Sequence, residues 1–297
     1  MLRLRLLCAV GAITASVTAL APVATAPTSA APPKQQACGG ERLAKPGGGR
    51  YTCSFEDNFD GSALDRTKWM VQDTSVTGVP VGQNEGCYVD DPDNVSVGSG
   101  VLRLTVRKES APFVCQSPYG AFTTDISAAT VVGYGKFSQT YGRFEFRARM
   151  PETTIQGIHS ALWLYPQQHT YGAWPASGEI DVAEWFSGDP GKVYPSVHYT
   201  GENPLQSTGF NCPVAGASSQ FHDYAVEWTS TSMRFLYDDR VCFEHSWLDA
   251  SPLAGSAPFD QPFYLVMTQV FGGGWNSVVA DTPTSATMSV DWVRVWR

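Results

Sequence analysis

Three carboxylates fall close together in Trp174-Pro-Ala-Ser-Gly-Glu-Ile-Asp-Val-Ala-Glu-Trp185: Glu179, Asp181 and Glu184. Strand side chains alternate between faces, so Glu179 and Asp181 share a face while Glu184, five places beyond Glu179, points the other way. A β-bulge near Val182–Ala183 returns Glu184 to the shared face and bends the strand there. The two glutamates are then four strand steps apart, roughly 13 Å between Cα atoms at about 3.3 Å per step. Curvature and inward-leaning side chains must close this toward the roughly 5–5.5 Å that a nucleophile and a proton donor need around a glycosidic bond cleaved with retention. Like charges so close cannot all ionise cheaply, so one carboxyl is expected to stay protonated near neutral pH, with titration belonging to the group. A protonated acid beside an ionised nucleophile is the pair that retaining hydrolysis requires. A solvated acidic strand face or a calcium site is the competing reading. The apolar Ile180, Val182 and Ala183 and the flanking tryptophans argue against a solvated face.

The elements that must position this cluster are strands. Arg143, Glu145, Arg147 and Arg149 alternate with Phe144, Phe146, Ala148 and Met150, and Leu102, Leu104 and Val106 alternate with Arg103, Thr105 and Arg107. Tyr224, Val226 and Trp228 repeat the pattern, as do Met233, Phe235 and Tyr237. Asp238-Asp239 reads as a hairpin turn returning through Val241-Cys242-Phe243, and Ser289–Arg297 is a further strand-like run. No segment holds helical spacing for three turns. The expected fold is all-β: a β-sandwich of jelly-roll type, two curved antiparallel sheets with a concave cleft.

Composition narrows the function. Charged residues are 16% of the chain, against roughly 25% in average usage, yet apolar content is 43%, which excludes a disordered chain. The net charge of −8 excludes a general nucleic-acid binder. With 28 Gly, 20 Pro and nine Trp the chain is rich in turns and flat rings, which fit a β-rich fold, and exposed rings would suit a flat ligand. Residues 1–30 have the layout of a secretory signal: Arg3 and Arg5, an apolar run Leu6–Val23, then small residues up to Ala30–Ala31. Its removal takes away two arginines and leaves a net charge of −10. Residues 31–50 are expected as a flexible arm and 51–297 as one domain. The product is expected to be secreted and extracellular, monomeric, and free of the membrane once the signal is cleaved. Six cysteines then remain, and an even number in an exported chain favours disulfides. Six allow fifteen connectivities; the simplest joins sequence neighbours, Cys38–Cys53, Cys87–Cys115 and Cys212–Cys242. No Cys-x-x-Cys, no metal-ligand spacing among the five His and no Gly-x-Ser-x-Gly elbow occurs, so neither a metal nor a cofactor is expected to be required.

Glu179-Ile-Asp-Val-Ala-Glu184 resembles the Glu-x-Asp-x-x-Glu signature of glycoside hydrolase family 16 in its bulged, laminarinase-like form. Phe55-Glu-Asp-Asn-Phe-Asp-Gly61, Tyr141-Gly-Arg-Phe-Glu-Phe-Arg147, Phe221-His-Asp-Tyr-Ala-Val-Glu-Trp228 and Val290-Asp-Trp-Val-Arg-Val-Trp296 are similar to other family segments in the same order. The resemblance implies a β-jelly-roll endo-hydrolase of β-linked polysaccharides acting with retention, with Glu179 as nucleophile, Glu184 as acid/base and Asp181 assisting between them. The bulged spacing is similar to that of endo-1,3-β-glucanases. The alternatives are endo-1,3-1,4-β-glucanases, agar or galactan hydrolases and transglycosylases on the same scaffold, or a carbohydrate-binding protein without catalysis. An acidic chain favours a neutral glycan over a polyanion. The resemblance also places Trp163, Trp174, His198, Asn84, Glu85, Trp185 and Tyr199 along the cleft. Thr268 stands where relatives carry Asn. It and Gln269 point to opposite faces, and Gln269 is expected to face the sugar. A structural calcium, held by backbone oxygens and Asp291, is left open, with Asn58 in place of a usual acidic residue weakening it.

Overall fold

The structure is a computed structural model that describes residues 37–80, 86–247 and 252–297. The strands in chain order are β1 (Cys53–Asp57), β2 (Met70–Val71), β3 (Cys87–Tyr88), β4 (Val95–Gly98), β5 (Val101–Cys115) and β6 (Phe122–Val132). They continue as β7 (Gly142–Arg149), β8 (Ile158–Pro166), β9 (Glu179–Phe186), β10 (Lys192–His198) and β11 (Cys212–Pro213). The remainder are β12 (His222–Trp228), β13 (Met233–Tyr237), β14 (Arg240–His245), β15 (Phe263–Phe271) and β16 (Ser285–Trp296).

Two layers form from one continuous order, β11-β10-β9-β8-β15-β6-β5-β16-β7-β12-β13-β14. The inner layer, β10-β9-β8-β15, carries the carboxylate strand, and the outer layer runs from β5 to β14. Strand β6 belongs to both: Phe122–Ser127 pairs with β5, and Ala129–Val132 pairs with β15. Pairing is antiparallel except where β3 lies parallel to β6. The period-two pattern explains why the layers stack. Leu102, Leu104, Val106, Phe144, Phe146 and Ala148 of the outer layer are fully buried, as are Leu162, Leu164, Ile180, Leu265 and Met267 of the inner one. A jelly-roll sandwich is thus the observed architecture.

Three disulfides join Cys38–Cys53, Cys87–Cys115 and Cys212–Cys242, each with Cα atoms 5.8 Å apart. The segment expected as a signal lies outside the described residues. From Ala37 the expected arm packs on the outer layer: Cys38 is fully buried, and Glu41 pairs with Arg294 at 2.6 Å. No helix among the described residues is long and apolar enough to cross a membrane.

Candidate active site

The bulge sits where the spacing placed it. Across β8, Leu162 pairs with Ala183 and Trp163 with Asp181, leaving Val182 as the extra residue. Across β10, Tyr194 pairs with Glu184, Ser196 with Asp181 and His198 with Glu179. Partners of equal parity on both neighbours therefore put all three carboxylates on the cleft face. Ile180, Val182 and Ala183 are fully buried and anchor the strand in the core. From the opposite layer the Tyr237 hydroxyl donates to the Val182 carbonyl at 3.1 Å, holding the bulge from beneath. Gly178 enters the strand at φ 84°, and a Cβ there would come within 2.7 Å of the Phe259 ring, so only glycine fits before Glu179.

Each carboxyl has its own partners. Glu184 is held at both oxygens: Oε1 lies 3.2 Å from His159 Nε2, and Oε2 accepts from the Ser196 hydroxyl at 3.3 Å. Asp181 is buried, with Oδ2 3.5 Å from His198 Nε2. The far side of that ring, Nδ1, lies 3.2 Å from Glu202 Oε1, and Glu202 in turn accepts from the Ser207 hydroxyl. Burial pushes the Glu179 carboxyl up to about 7, against the pull of His198 and with the push of Glu184. Burial, then Glu179, Glu184 and Glu202, hold Asp181 well above the ordinary carboxylate range. A group of this kind keeps a proton near neutrality and can pass it between members.

The aromatic residues divide. Trp163 is half-buried, its indole N–H donating to Thr268 Oγ1 at 3.0 Å, and Trp174 is 55% exposed beside His198, ring centroids 5.8 Å apart. These two and His198 gather around the carboxylates. Trp185 does not: it is fully buried and donates to the Pro190 carbonyl at 3.0 Å, because alternation from Glu184 turns it into the core. Gln269 is likewise corrected. It pairs with Ser160, itself opposite Trp185, so it faces the core, fully buried, and accepts from the Ser160 hydroxyl at 2.5 Å. Thr268 takes the cleft side, bracing Trp163. Tyr199 is buried too, its hydroxyl 2.9 Å from His245 Nε2. Asn84 and Glu85 lie outside the described residues.

Four cleft residues were not anticipated. His159 stacks on Phe186 with centroids 4.5 Å apart, Phe186 contacts Trp275 at 5.1 Å, and Tyr194 contacts both Phe186 and Trp275. Trp275 is 59% exposed. Parity was the available signal: His159 is four places before Trp163, and Phe186 two beyond Glu184. Trp275 had none, since it sits on a loop fixed by Asn276, whose amide bonds Gly157, Ile158 and Gly188.

Glu179, Asp181 and His198 each place one donor atom within 4.8 Å of the others, a spacing that could surround a cation. At the calcium position considered from sequence, the residues do not fit. The Asp291 carboxylate lies 3.1 Å from Arg147 Nε, so its charge is already matched, and Asn58 is engaged with Glu56.

The likeness to known proteins agrees with this geometry. The glycosyl hydrolases family 16 model matches residues 82–294. A beta-glucanase of Rhodothermus marinus is 36% identical over 255 residues, covering 82% of this chain and 84% of the relative. Glucan endo-1,3-beta-glucosidase A1 of Niallia circulans is 33% identical over 82% of this chain, which spans only 37% of that protein. The X-ray structure of the laminarinase from Rhodothermus marinus superposes with a TM-score of 0.70 at 34% identity, covering 83% of this chain and 97% of that one. A cleft-facing carboxylate trio on a bulged strand of a jelly roll, together with these matches, shows that the chain belongs to glycosyl hydrolase family 16.

Proposed function

We propose that the protein is a secreted, monomeric, retaining endo-hydrolase of a neutral β-linked glucan, laminarinase-like, cutting 1,3-β linkages. The observation that carries the chemistry is the bulge that turns Glu179, Asp181 and Glu184 onto one face of β9. Glu179 attacks the anomeric carbon while Glu184 gives its proton to the departing glycosidic oxygen, forming a glycosyl ester on Glu179. Esterification removes the Glu179 charge, so Glu184, now ionised, can take a proton from water, which attacks the same carbon and releases the sugar. Asp181 stays protonated between them and steadies Glu179. His159 and Ser196 aim the two oxygens of Glu184.

Substrate class follows from what surrounds the acids. Trp174 lies at the Glu179 end of β9 and Trp275 at the Glu184 end, both exposed, offering ring faces to sugar C–H faces on either side of the reacting bond. A cleft with three carboxyls and no arginine or lysine paired to them among the described residues disfavours a polyanion. The relatives named above supply the linkage. Three disulfides fit an oxidising compartment, which supports export.

Laminarin, curdlan, lichenan, agarose and galactan, with products separated by size, test the substrate; laminarin is expected to give internal cuts and falling oligomer size. The first product, read by NMR, is expected to keep the β configuration. An α product would remove the nucleophile role from Glu179. Glu179→Gln and Glu184→Gln are each expected to lower the laminarin rate at least about 10³-fold, and a near-wild-type rate in either would end the assignment.

A further inference from the structure

Six arginines project from β5, β7 and β16 on the outer layer: Arg103, Arg107, Arg143, Arg147, Arg149 and Arg294. Four are matched to carboxylates: Arg107 to Asp93 and Glu109, Arg143 to Glu145, Glu227 and Asp239, Arg147 to Asp223 and Asp291, and Arg294 to Glu41 and Glu56. Arg103 and Arg149 have no carboxylate at ion-pair distance among the described residues. Arg103 donates to the Gly98 carbonyl at 3.0 Å, and the Arg149 guanidinium lies 5.4 Å from the centroid of the Phe221 ring. In a chain with 28 acidic and 20 basic residues, two unmatched guanidiniums on three adjacent strands, β5, β16 and β7, whose other arginines each find at least two acids are a marked departure.

The two exceptions are also neighbours. Ser289 of β16 pairs with Arg103 on one side and with Arg149 on the other, so both arginines flank one strand, about 10 Å apart at their Cα atoms across two strand spacings. Between them lies a groove of about 410 Å³ lined by Ser285, Thr287 and Ser289 of β16 and by Pro151 and Pro283, the Thr287 hydroxyl being bonded to that of Thr105 at 2.9 Å. Glu152 is exposed at the same groove and pairs with neither arginine. Paired guanidiniums over a row of hydroxyls form a receptor for an oxyanion, since the forked donors match carboxylate or sulfate oxygens. The groove is far larger than one oxyanion and continues along the strand past three hydroxyl side chains, which suits flanking sugar rings.

We propose that this groove binds an acidic polysaccharide, seating a carboxylate or sulfate ester between Arg103 and Arg149 on the face opposite the cleft. Binding there leaves the catalytic carboxylates free, so the enzyme can be held on an acidic matrix while it cuts a neutral glycan. That tethering role rests on the proposed function; the site itself does not. Because the chain as a whole is acidic, attraction is local and screened by salt within about 8 Å at physiological ionic strength.

Electrophoresis of the native protein through gels containing polygalacturonate, dextran sulfate or uncharged dextran tests it. The wild type is expected to be retarded by the two polyanions and not by dextran. Arg103→Gln/Arg149→Gln should weaken that binding at least about tenfold. Arg42→Gln/Arg240→Gln, which changes net charge equally at exposed positions elsewhere, should stay within about twofold. Laminarin hydrolysis and melting temperature should be unchanged in both. Equal weakening in the two double variants, no retardation of the wild type, or binding of inorganic sulfate without either polymer overturns the proposal. Retardation that depends on Arg103 and Arg149 in a protein inactive on every glucan leaves the site standing and removes the proposed function instead.

Discussion

Two sets of carboxylates lie on opposite layers of the sandwich and are built on opposite terms. On the outer layer Glu145, Glu227 and Asp239 converge on Arg143 at 2.8, 3.3 and 2.9 Å. Burial works against the guanidinium charge, but its hydrogen bond to Glu145 and the surrounding carboxylates hold Arg143 firmly protonated. In the cleft, Glu179, Asp181 and Glu184 have no arginine or lysine at ion-pair distance among the described residues; their basic neighbours are His159 and His198. The outer set has a guanidinium at its centre, and there burial raises the Glu145 carboxyl against the pull of Arg143. The cleft set is left short of positive charge, so a proton is retained where the reaction can move it. Carboxylates thus become a strut where a guanidinium stands among them and an acid–base system where none does.

The largest test of this contrast is to remove the matching cation. Arg143→Met is expected to lower the unfolding free energy by about 3–5 kcal/mol by stranding buried carboxylates, with the laminarin rate per folded molecule unchanged. Replacing Glu145 and Glu227 by Met as well should recover most of that loss. A single variant as stable as wild type in urea titration would show that the outer set is not held by charge matching.

The cleft set is expected to respond to pH instead. Glu179 titrates near 7 in the folded protein and near 4.5 when unfolded, so between these values the folded state binds more protons. Stability therefore falls as pH rises across that window, by at most about 3 kcal/mol from this residue. Glu179→Gln should remove that part of the slope and be more stable than wild type at pH 8. Parallel stability–pH curves for the two proteins would contradict the raised titration of Glu179.

The smallest effect separates two tyrosines packed edge to face at 5.4 Å. Tyr237→Phe takes away the donor to the bulge carbonyl and should cost about 1–2 kcal/mol, with a several-fold fall in kcat and little change in KM. The Tyr224 hydroxyl is buried with no hydrogen-bond partner among the described residues, so Tyr224→Phe should be neutral or stabilising. If both variants behave alike, the Val182 bond has no part in shaping the site.

Much of the site was legible because strand parity is rigid. Glu179, Asp181 and Glu184 could share a face only through a bulge, and the bulge lies at Val182. Trp185 and Gln269 were misplaced because residue type was weighed above parity; a cleft aromatic or amide is common, but each sits one step from a cleft-facing neighbour and must turn inward. The burial of Arg143 and Glu145 was not legible at all. Their alternation marked an outward face correctly, but that face is covered by tertiary packing, and Tyr51, near Glu227 and Arg143, is pushed up to about 12 chiefly by burial there. No local pattern reports what a distant segment will cover.

Strand β16 sits in the middle of the outer layer, between β7 on one side and β5 and β1 on the other. Its partners are made early in synthesis and it is made late, so β5 and β7 wait with bare edges until it arrives. The outer layer cannot close around a half-made chain. Folding is therefore timed by the completion of β16, and such non-local pairing is intrinsically slow. A polypeptide whose outer layer stays open until β16 appears can still be threaded through a narrow passage.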